Sequence, residues 1–535
     1  MGFNQLLFIM KKNLFFYTIT GLFLVGCTSP KSQEAATVGI LPVEFSASYQ
    51  PHMFDKDNRM EKITQLLQGA DSIFSRHAEE YHLPGVVYGV VVDDSLVFSG
   101  GLGTINLATK EPASTNSLFR IASMSKSFTA MAILRLRDEG LLSITDKAAD
   151  YIPELSGLEY LTEDAPHITI RHLLTMTAGF PEDNPWGDRQ LDVTDEVLVN
   201  FIKRDVAFSA VPSTQYEYSN LGFALLGNII TRVSGMPYQQ YITENILEPL
   251  GMNNTTFEYA DIPENKLAIG YRWEDNQWKD EPMLHDGAYG AMGGLITSIN
   301  DFSKYVSFHL SAWPPRSGSD FGPVKRSSLR EMHEMTQPRL ASTAKDYQGN
   351  PCPLVVGYGY GLRITKYCDG KTEVAHGGAL PGFGSTYLFY PDYGIGVMAF
   401  CNLTYTSALP TKIKDIILNE TGIVPRKLPV SDILAKRKEQ VYELITSWDT
   451  TLEQEVIAMN FYLDKSRESR KNEAEEKLKE IGTVVSITDI TPQNQLRGTF
   501  DIQGKEKTLR VFFTLSPEVV PKVQRLNLWV VDTTG

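Results

Sequence analysis

The chain has 535 residues, of which 42% are hydrophobic and 21% charged, a composition typical of a soluble globular protein with ample core. Domains usually span roughly 100–200 residues, so this length predicts more than one folding unit. The formal net charge of −14 excludes non-specific nucleic-acid binding, which needs a basic surface, and we expect no nucleic-acid partner.

The first 27 residues are predicted to be a lipoprotein signal peptide. Met10-Lys11-Lys12 provides a short basic segment, and residues 13–26 form a mostly apolar stretch too short to span a bilayer comfortably. The run that ends at Cys27 resembles a bacterial lipobox, in which the cysteine becomes the lipidated first residue. Lipidation of Cys27 predicts a protein anchored in the bacterial cell envelope, in the periplasm or at the cell surface. The alternative is an ordinary signal peptide with an incidental cysteine.

Residues 28–58 are rich in Ser, Pro and Ala and are interpreted as a tether between the lipid and the first domain. An amphipathic helix is predicted from about Met60 to Tyr81. A turn at Asp93-Asp94 separates the apolar run from Val86 to Val92 from a second run, Leu96 to Phe98. This pattern predicts a β-hairpin at the start of an antiparallel sheet.

The run from Ser123 to Lys126 places a candidate nucleophile and a candidate base one helical turn apart. Apolar residues recur at helical spacing from Phe128 to Leu134, until Gly140 supplies a stop, so Ser123 is predicted in the first turn of a helix. The spacing of three puts both side chains on one helix face, where a desolvated lysine is able to be neutral and to accept the serine proton. The alternative for this short motif is a capped helix with a solvated lysine.

Two later stretches accompany this motif. Tyr218-Ser219-Asn220 precedes an apolar helix, and His376-Gly377-Gly378 lies between strand-like runs. Helices and loops dominate from Ser117 to about Asn300, after which the pattern returns to strands. The predicted strands are 359–364, 372–376, 385–390 and 394–401, and a helix near 411–418 is expected to close the domain.

Taken together, these stretches make the sequence similar to the serine β-lactamase and penicillin-recognising enzyme superfamily, in its class C β-lactamase, DD-peptidase and esterase branch. The motifs that carry the resemblance are Phe119 to Lys126, Ile168 to Gly179, Tyr218 to Asn220 and Gly293 to Leu295. The likeness implies an α+β domain over residues 59–425, with an antiparallel sheet flanked by helices and an inserted helical subdomain. The active site would lie in the cleft between sheet and insert.

The resemblance also implies catalytic roles. Ser123 attacks the substrate carbonyl, Lys126 and Tyr218 form the proton-transfer system, and Asn220 orients the substrate amide. A phenol near cationic or donor groups is expected to have its pKa lowered enough to share a proton with the serine. No cofactor or metal is implied.

The strand that carries His376-Gly377-Gly378 is expected to bind substrate. Backbone N–H groups of Ser123 and Ala379 occupy the positions of the two oxyanion donors, and Gly377 and Gly378 are expected to let the substrate backbone approach. Most β-lactamases have lysine where this sequence has His376, whereas DD-peptidases and esterases of this branch tolerate histidine. His376 is expected to donate to a substrate carboxylate or to hydrogen-bond the catalytic tyrosine; the alternative is a structural histidine at a strand end.

Other residues have less specific signals. Trp186, in the loop 181–188, either lines a substrate pocket or packs the loop. Arg171-His172 and Asp146 are interpreted as packing and capping features. The mature chain would keep three cysteines. Cys352 and Cys368 are a possible disulfide pair, and Cys401, at the end of an apolar run, is expected to be a small buried core residue.

After Pro425 the composition changes. Two charged, helix-forming stretches, 434–452 and 468–480, are followed by the strand-like runs 498–502 and 508–515. Residues 426–535 are therefore predicted to form a separate accessory α+β domain of unknown partner. The helix-then-sheet order faintly resembles NTF2-like or cystatin-like modules.

These observations predict a lipid-anchored serine hydrolase that acts on an amide or ester through a Ser123 acyl-enzyme. A D-Ala-D-Ala-type peptidase or an esterase is the leading hypothesis, with a small peptide or ester as substrate. A β-lactamase with a β-lactam substrate is the enzymatic alternative. A non-catalytic, penicillin-binding-like sensor is the alternative without catalysis.

Overall fold

A computed structural model of the chain describes residues 49–204, 206–345, 349–420 and 422–532. The predicted signal peptide, Cys27 and most of the tether lie outside the described residues.

The strands and helices follow one another along the chain in two series. The strands are β1 (Gly85–Val92), β2 (Ser95–Asn106), β3 (Glu111–Pro112), β4 (Phe119–Arg120), β5 (Tyr271–Glu274), β6 (Gln277–Asp280), β7 (Ile296–Thr297), β8 (Gln337–Lys345), β9 (Pro351–Tyr358), β10 (Arg363–Tyr367), β11 (Thr372–Leu380), β12 (Phe383–Tyr390), β13 (Ile395–Cys401), β14 (Val484–Ile487), β15 (Thr491–Asn494), β16 (Arg497–Gly504), β17 (Thr508–Leu515) and β18 (Val523–Val531). The α-helices are α1 (Arg59–Leu66), α2 (Ala70–Glu80), α3 (Ser125–Asp138), α4 (Ala148–Tyr151), α5 (Ile170–Leu174), α6 (Asp195–Arg204), α7 (Asn220–Ser234), α8 (Tyr238–Ile242), α9 (Gly290–Gly293), α10 (Ile299–Ser311), α11 (Arg326–Met332), α12 (Thr411–Asp415), α13 (Asp432–Ser447), α14 (Thr450–Val456) and α15 (Arg467–Ile481).

The main sheet is antiparallel and has the strand order β3-β2-β1-β13-β12-β11-β10-β9-β8. The first hairpin and the last strand of this sheet along the chain are neighbours inside it, where β1 pairs with β13 and Val90 lies opposite Val397. Helices cover both faces, with α3, α7 and α10 in one core cluster and α1, α2 and α12 in another. This arrangement confirms the predicted α+β fold class.

Helix α3 lies deep in the larger core. Every residue from Ser125 to Leu134 is buried, so this helix is enclosed on all sides rather than amphipathic. The turn before β10 packs directly against it: a Cβ on Gly361 would lie 2.8 Å from the carbonyl oxygen of Lys126, and the φ of Gly361 is +67°. Glycine therefore allows the sheet to approach the helix that carries the S-x-x-K motif.

Several predicted boundaries differ from the observed ones. The helix predicted from Met60 to Tyr81 is two helices, because the chain turns at Gly69 with φ of +95°. The strand predicted at 359–364 begins only at Arg363, since the preceding residues form the turn against α3. Strands β8 and β9 were not predicted, because their exposed residues alternate too weakly to stand out.

Cys352 and Cys368 form a disulfide with a Cα–Cα distance of 5.3 Å. The bond joins β9 to the turn that follows β10. Cys401 is a buried free thiol at the end of β13, and burial raises its pKa to about 12. The structure therefore agrees with the expectation of a small buried core residue at this position.

The last part of the chain has a second antiparallel sheet, with the order β14-β16-β17-β18 and with β15 paired to β16. Helices α13 to α15 and this sheet share a core cluster that includes Leu434, Val441, Phe500 and Val511. The domain boundary at residue 425 stays a prediction. Among the described residues, none of the helices combines the length and the hydropathy that a membrane span requires.

Candidate active site

Ser123 lies in a 3₁₀ turn immediately before α3. The preceding residue, Ala122, has φ of +49°, a left-handed conformation that costs a non-glycine residue roughly 1–2 kcal/mol. Hydrogen bonds hold this turn: Ser125 Oγ donates to the Ala122 carbonyl at 2.7 Å and accepts from the Leu295 N–H at 3.1 Å. The Ile121 N–H in turn donates to the Leu295 carbonyl at 3.0 Å. The second serine of the motif, Ser125, is thus engaged in supporting the first.

Lys126 is fully buried, and its amine has three polar neighbours. Nζ lies 2.9 Å from Ser123 Oγ, 2.7 Å from Asn220 Oδ1 and 2.9 Å from the Met292 carbonyl oxygen. The amide oxygen of Asn220 and the carbonyl of Met292 are acceptors only, so they take two N–H bonds. A neutral amine then presents its lone pair to the Ser123 hydroxyl. In this geometry both N–H groups and the lone pair of a neutral lysine have a hydrogen-bond partner.

The electrostatics of the site favour that neutral form. Burial lowers the pKa of Lys126 to about 7, although the carboxylates of Asp183, Asp188 and Glu182 act in the opposite direction. A substantial fraction of the lysine is therefore neutral near pH 7, as a general base requires.

Asn220 is fully buried at the start of α7. Besides accepting from Lys126, it donates from Nδ2 to Asn184 Oδ1 at 2.7 Å. The observed contacts of its side chain therefore position the lysine. Its expected contact with a substrate amide stays a prediction.

Tyr218 is half-buried in the cleft wall, with its ring centroid 4.9 Å from Lys126 Nζ. Burial raises the pKa of its hydroxyl well above the usual value, and the neighbouring Ser123 hydroxyl offsets only part of that effect. The expectation of a lowered pKa is therefore wrong. It relied on stabilisation of the phenolate by nearby cationic or donor groups, whereas the burial that raises the phenol pKa also favours the neutral amine of Lys126.

His376 is buried in β11 and engaged at both ring nitrogens. Nδ1 lies 2.6 Å from the Gly377 carbonyl oxygen, so it must carry a proton, and Nε2 then accepts from the Tyr358 hydroxyl at 3.0 Å. Burial lowers the pKa of His376 to about 3, and the charges of Lys126 and Arg363 act in the same direction. The partner of this histidine is thus Tyr358 rather than Tyr218.

The two glycines after His376 differ in their surroundings. A Cβ on Gly378 would lie 2.1 Å from the Ile121 carbonyl oxygen and 2.2 Å from Ser385 Oγ, whereas a Cβ on Gly377 would meet only the Ser385 carbonyl, at 3.8 Å. Glycine at 378 is therefore required by the packing of β11 against the Ser123 turn. Gly377 leaves space open at the cleft, and Ala379 lines the same cleft.

The cleft has a volume of about 650 Å³. It is lined by Ser123, Asn184, Pro185, Asp188, Tyr218, His376, Gly377, Gly378, Ala379, Ser385, Thr386, Tyr405, Thr406 and Ser407. All the predicted site residues of the sheet and the helical insert therefore meet at one place, either in the lining or, for Lys126 and Asn220, directly beneath it.

Trp186 is not part of that lining. Its ring packs against Phe201 and Tyr289, and it borders a separate cavity of about 300 Å³. His172 takes the expected capping role, since Thr169 and His172 form a reciprocal cap on α5. Asp146 does not cap a helix: it accepts from the Ser143 N–H at 2.7 Å and from the Tyr151 hydroxyl at 2.6 Å, whereas α4 begins after Lys147 without a side-chain cap.

Comparison with known proteins decides the family. The family model described as Beta-lactamase matches residues 70–419. The chain belongs to the Beta-lactamase family.

Several known proteins are similar to this chain in sequence or in fold. Protein flp of Staphylococcus aureus (strain MW2) is 29% identical over 399 residues, which cover 72% of this chain and 72% of that protein. Beta-lactamase-like protein 2 of Dictyostelium discoideum is 32% identical over 254 residues, covering 46% of this chain and 45% of the other. The octameric penicillin-binding protein homologue from Pyrococcus abyssi has a similar fold, with a TM-score of 0.54 and 23% identity over 86% of this chain and 94% of that one.

Within the Beta-lactamase fold, the Gly293 to Leu295 motif has a local explanation. The carbonyl just before it, from Met292, holds the lysine, and the backbone of Leu295 holds the serine turn. A motif far away in sequence thus fixes both members of the Ser–Lys pair.

A smaller cavity of about 150 Å³ adjoins the cleft and shares Tyr218, His376 and Gly377 with it. Two further lining residues are cationic, Arg339 and Arg363. Arg339 lies where the pairing of β8 with β9 shifts register, and its guanidinium stands 5.1 Å from the ring centroid of Tyr216. A bulge of this kind can redirect a side chain beside an active site.

Neither arginine was singled out from the sequence, nor were Tyr358, Asp183 and Asp188. The one available signal was the presence of three acidic residues, Glu182, Asp183 and Asp188, in the loop 181–188. The arginines and Tyr358 lie on strands whose exposed pattern carries no chemical motif.

Proposed function

We propose that this protein is a serine hydrolase that cleaves an amide or ester through an acyl-enzyme on Ser123. The observation that carries the proposal is the buried amine of Lys126, whose two fixed acceptors leave its third position for the Ser123 hydroxyl at 2.9 Å. A weak nucleophile placed beside a neutral base in this way is the arrangement that covalent catalysis needs.

In the acylation step, Lys126 takes the hydroxyl proton as Ser123 Oγ attacks the substrate carbonyl carbon. The resulting oxyanion is expected to accept from the backbone N–H groups of Ser123 and Ala379. Tyr218, as a neutral phenol, is the acid next to the reacting atoms. It gives its proton to the leaving group and regains one from the protonated lysine, which completes the transfer.

Deacylation reverses these roles. Water enters in place of the leaving group, gives a proton to the base and attacks the acyl carbonyl, and Ser123 leaves with a proton returned through Lys126. The bond that forms joins the water oxygen to the acyl carbon, and the bond that breaks is the ester to Ser123 Oγ.

Among substrates, we favour a D-Ala-D-Ala-type peptide or a related ester. The cavity that holds Arg339 and Arg363 shares Tyr218, the proposed donor to the leaving group, with the main cleft. A leaving group that enters it would meet two guanidinium groups, which suit the terminal carboxylate of a peptide. His376 is neutral and fully hydrogen-bonded, so it is a poor candidate for that carboxylate.

The first experiment locates the acyl-enzyme. The purified protein is incubated with a fluorophosphonate, digested and mapped by mass spectrometry, and we expect the adduct on the peptide that contains Ser123 and Lys126. Ser123→Ala should abolish labelling. Ser219→Ala, which removes only a helix cap, is the matched control and should label normally.

The second experiment identifies the substrate class. A D-Ala-D-Ala peptide, its terminal amide, a short-chain p-nitrophenyl ester and a chromogenic cephalosporin are compared on wild type and on Arg363→Gln. A selective loss on the free-carboxylate peptide supports the peptidase. Turnover of the cephalosporin above the other substrates would favour the β-lactamase alternative, and labelling without turnover of any substrate would favour the sensor.

The location and the accessory region complete the proposal. A lipid on Cys27 would hold the protein in the bacterial cell envelope, with the tether separating the membrane from the cleft. Residues 426–535 would serve as an accessory domain, because the sheet and the candidate site are complete before them.

A further inference from the structure

The main cleft contains one carboxylate whose role the proposed mechanism leaves open. Asp188 is the acidic member of the described cleft lining, and it is 3% exposed. The basic member, His376, is neutral because burial lowers its pKa to about 3. Among the described lining residues, Asp188 is therefore the one whose side chain carries a charge at neutral pH.

No cation of the described residues forms an ion pair with Asp188. Its neighbour in sequence, Arg189, reaches instead to Glu281 at 3.6 Å. Lys126 has its three positions occupied by Ser123 and the two acceptors described above. Removing a carboxylate from water without a paired cation is unfavourable. A ligand with a cationic group would supply the cation that Asp188 lacks.

The carboxylate is nevertheless held in place. Its Oδ2 accepts from the Tyr405 hydroxyl at 3.2 Å, which joins the loop after β13 to the loop before α6. Gly187 packs tightly behind it, since a Cβ there would lie 2.9 Å from the Asn220 side chain. Oδ1 has no hydrogen-bond partner among the described residues, and it is not sealed from the cleft.

We propose that Asp188 and Tyr405 bind a primary ammonium group on the acyl part of the substrate. The carboxylate pairs with the cation, and the exposed ring of Tyr405 adds a face for a cation–π contact. Burial raises the pKa of Asp188 to about 6, although the charge of Lys126 and the Tyr405 hydroxyl act in the opposite direction.

The acyl side is assigned from the position of the leaving group, so this inference rests on the proposed function. Tyr218 borders both the cleft and the arginine cavity, and the leaving group departs towards it. Asp188 and Tyr405 line the main cleft only, so they are left to contact the acyl part. The preferred substrates are therefore amides or esters of a residue with a free amino group.

The test compares alanine p-nitroanilide with N-acetyl-alanine p-nitroanilide, in both enantiomers, on the full mature chain. The readout is the ratio of kcat/KM for the free amine to that for the acetylated substrate, which cancels general losses of activity. We expect this ratio to be well above one for at least one enantiomer. Asp188→Asn keeps the shape and the Tyr405 contact but removes the charge, and it should lower the ratio about thirtyfold or more.

Two further variants keep the test decisive. Asp286→Asn alters a carboxylate outside the cleft lining, one that accepts from Tyr238 and Gln239, and should leave the ratio unchanged. Tyr405→Phe removes the hydroxyl that holds Asp188 and should lower the ratio by a smaller factor, so it serves if Asp188→Asn fails to fold.

A wild-type ratio at or below one for both enantiomers, or an unchanged ratio in Asp188→Asn, would overturn the inference. Ser123-dependent hydrolysis of the acetylated substrate or of p-nitrophenyl butyrate would show in that case that the proposed function still holds. If no substrate is hydrolysed in a Ser123-dependent way, the proposed function itself fails.

Discussion

The burial of Lys126 predicts how the rate of Ser123 acylation depends on pH. In the proposed mechanism the neutral amine is the base, and burial lowers its pKa from 10.5 to about 7. Acylation should therefore be fastest above pH 7 and should be lost as the pH falls through that value. At pH 7 about half of the lysine is neutral, against roughly 0.03% for an unshifted lysine.

The magnitude follows from this fraction. Below the pKa, each unit of pH should lower the acylation rate about tenfold, so the rate at pH 5 should be about a hundredth of the plateau. The assay is the second-order rate of labelling by a neutral fluorophosphonate between about pH 5 and pH 9. His376 does not interfere, because its pKa of about 3 lies below this range. Asp188 does titrate within it, because burial raises its pKa to about 6, so the Asp188→Asn variant is needed to separate the two groups.

Two variants test the assignment of the inflection to Lys126. Lys126→Met should remove it and should lower the plateau by about a hundred- to ten-thousandfold, the usual contribution of a positioned base. Asp188→Asn should move the inflection to lower pH, because the Asp188 carboxylate acts to raise the lysine pKa. A wild-type rate that is flat over the whole range, or one that rises only near pH 10, would refute the reasoning.

Three other changes have separate outcomes. Gly378→Ala places a methyl group against the Ile121 carbonyl and should slow labelling of Ser123 at least about tenfold. It should also lower the free energy of unfolding, measured with urea, by about 1–3 kcal/mol. Gly377→Ala is the control and should lower that free energy much less. Cys27→Ser should move the protein from the membrane fraction to the soluble one with labelling intact, and retention in membranes at wild-type levels would contradict the lipid anchor. Truncation after residue 425 should preserve Ser123 labelling in a monodisperse product; complete loss would show that the accessory region contributes to the site.

The sequence by itself determined the features that depend on short-range pattern. Ser123 and Lys126 are one helical turn apart, so their meeting follows from helix geometry alone. The central strands β11 to β13 are apolar runs bounded by turn residues, so their existence and type followed as well. Strand β8 is mostly exposed and β9 mixes exposed and buried residues, so neither had a pattern clear enough to predict. Arg339 on β8 and Arg363 on β10 were missed as well.

Only the tertiary structure decided the protonation states. Lys126, Tyr218 and His376 all lie in low-dielectric surroundings, and burial disfavours the charged form of each. The sequence shows that such groups are present but not how deeply they are buried. For this reason the expected lowering of the Tyr218 pKa was wrong, while the neutral lysine was anticipated only as a possibility.

The tertiary structure also decided which distant side chains meet. Asp188 and Tyr405 are 217 positions apart, and Tyr358 reaches His376 across strands of the sheet. Contacts of this kind arise from the packing of a loop against a strand end, and no local spacing encodes them. The proximity of the proposed nucleophile to the proposed base was therefore predictable from the sequence, whereas the charged groups of the cleft that surrounds them are a property of the fold.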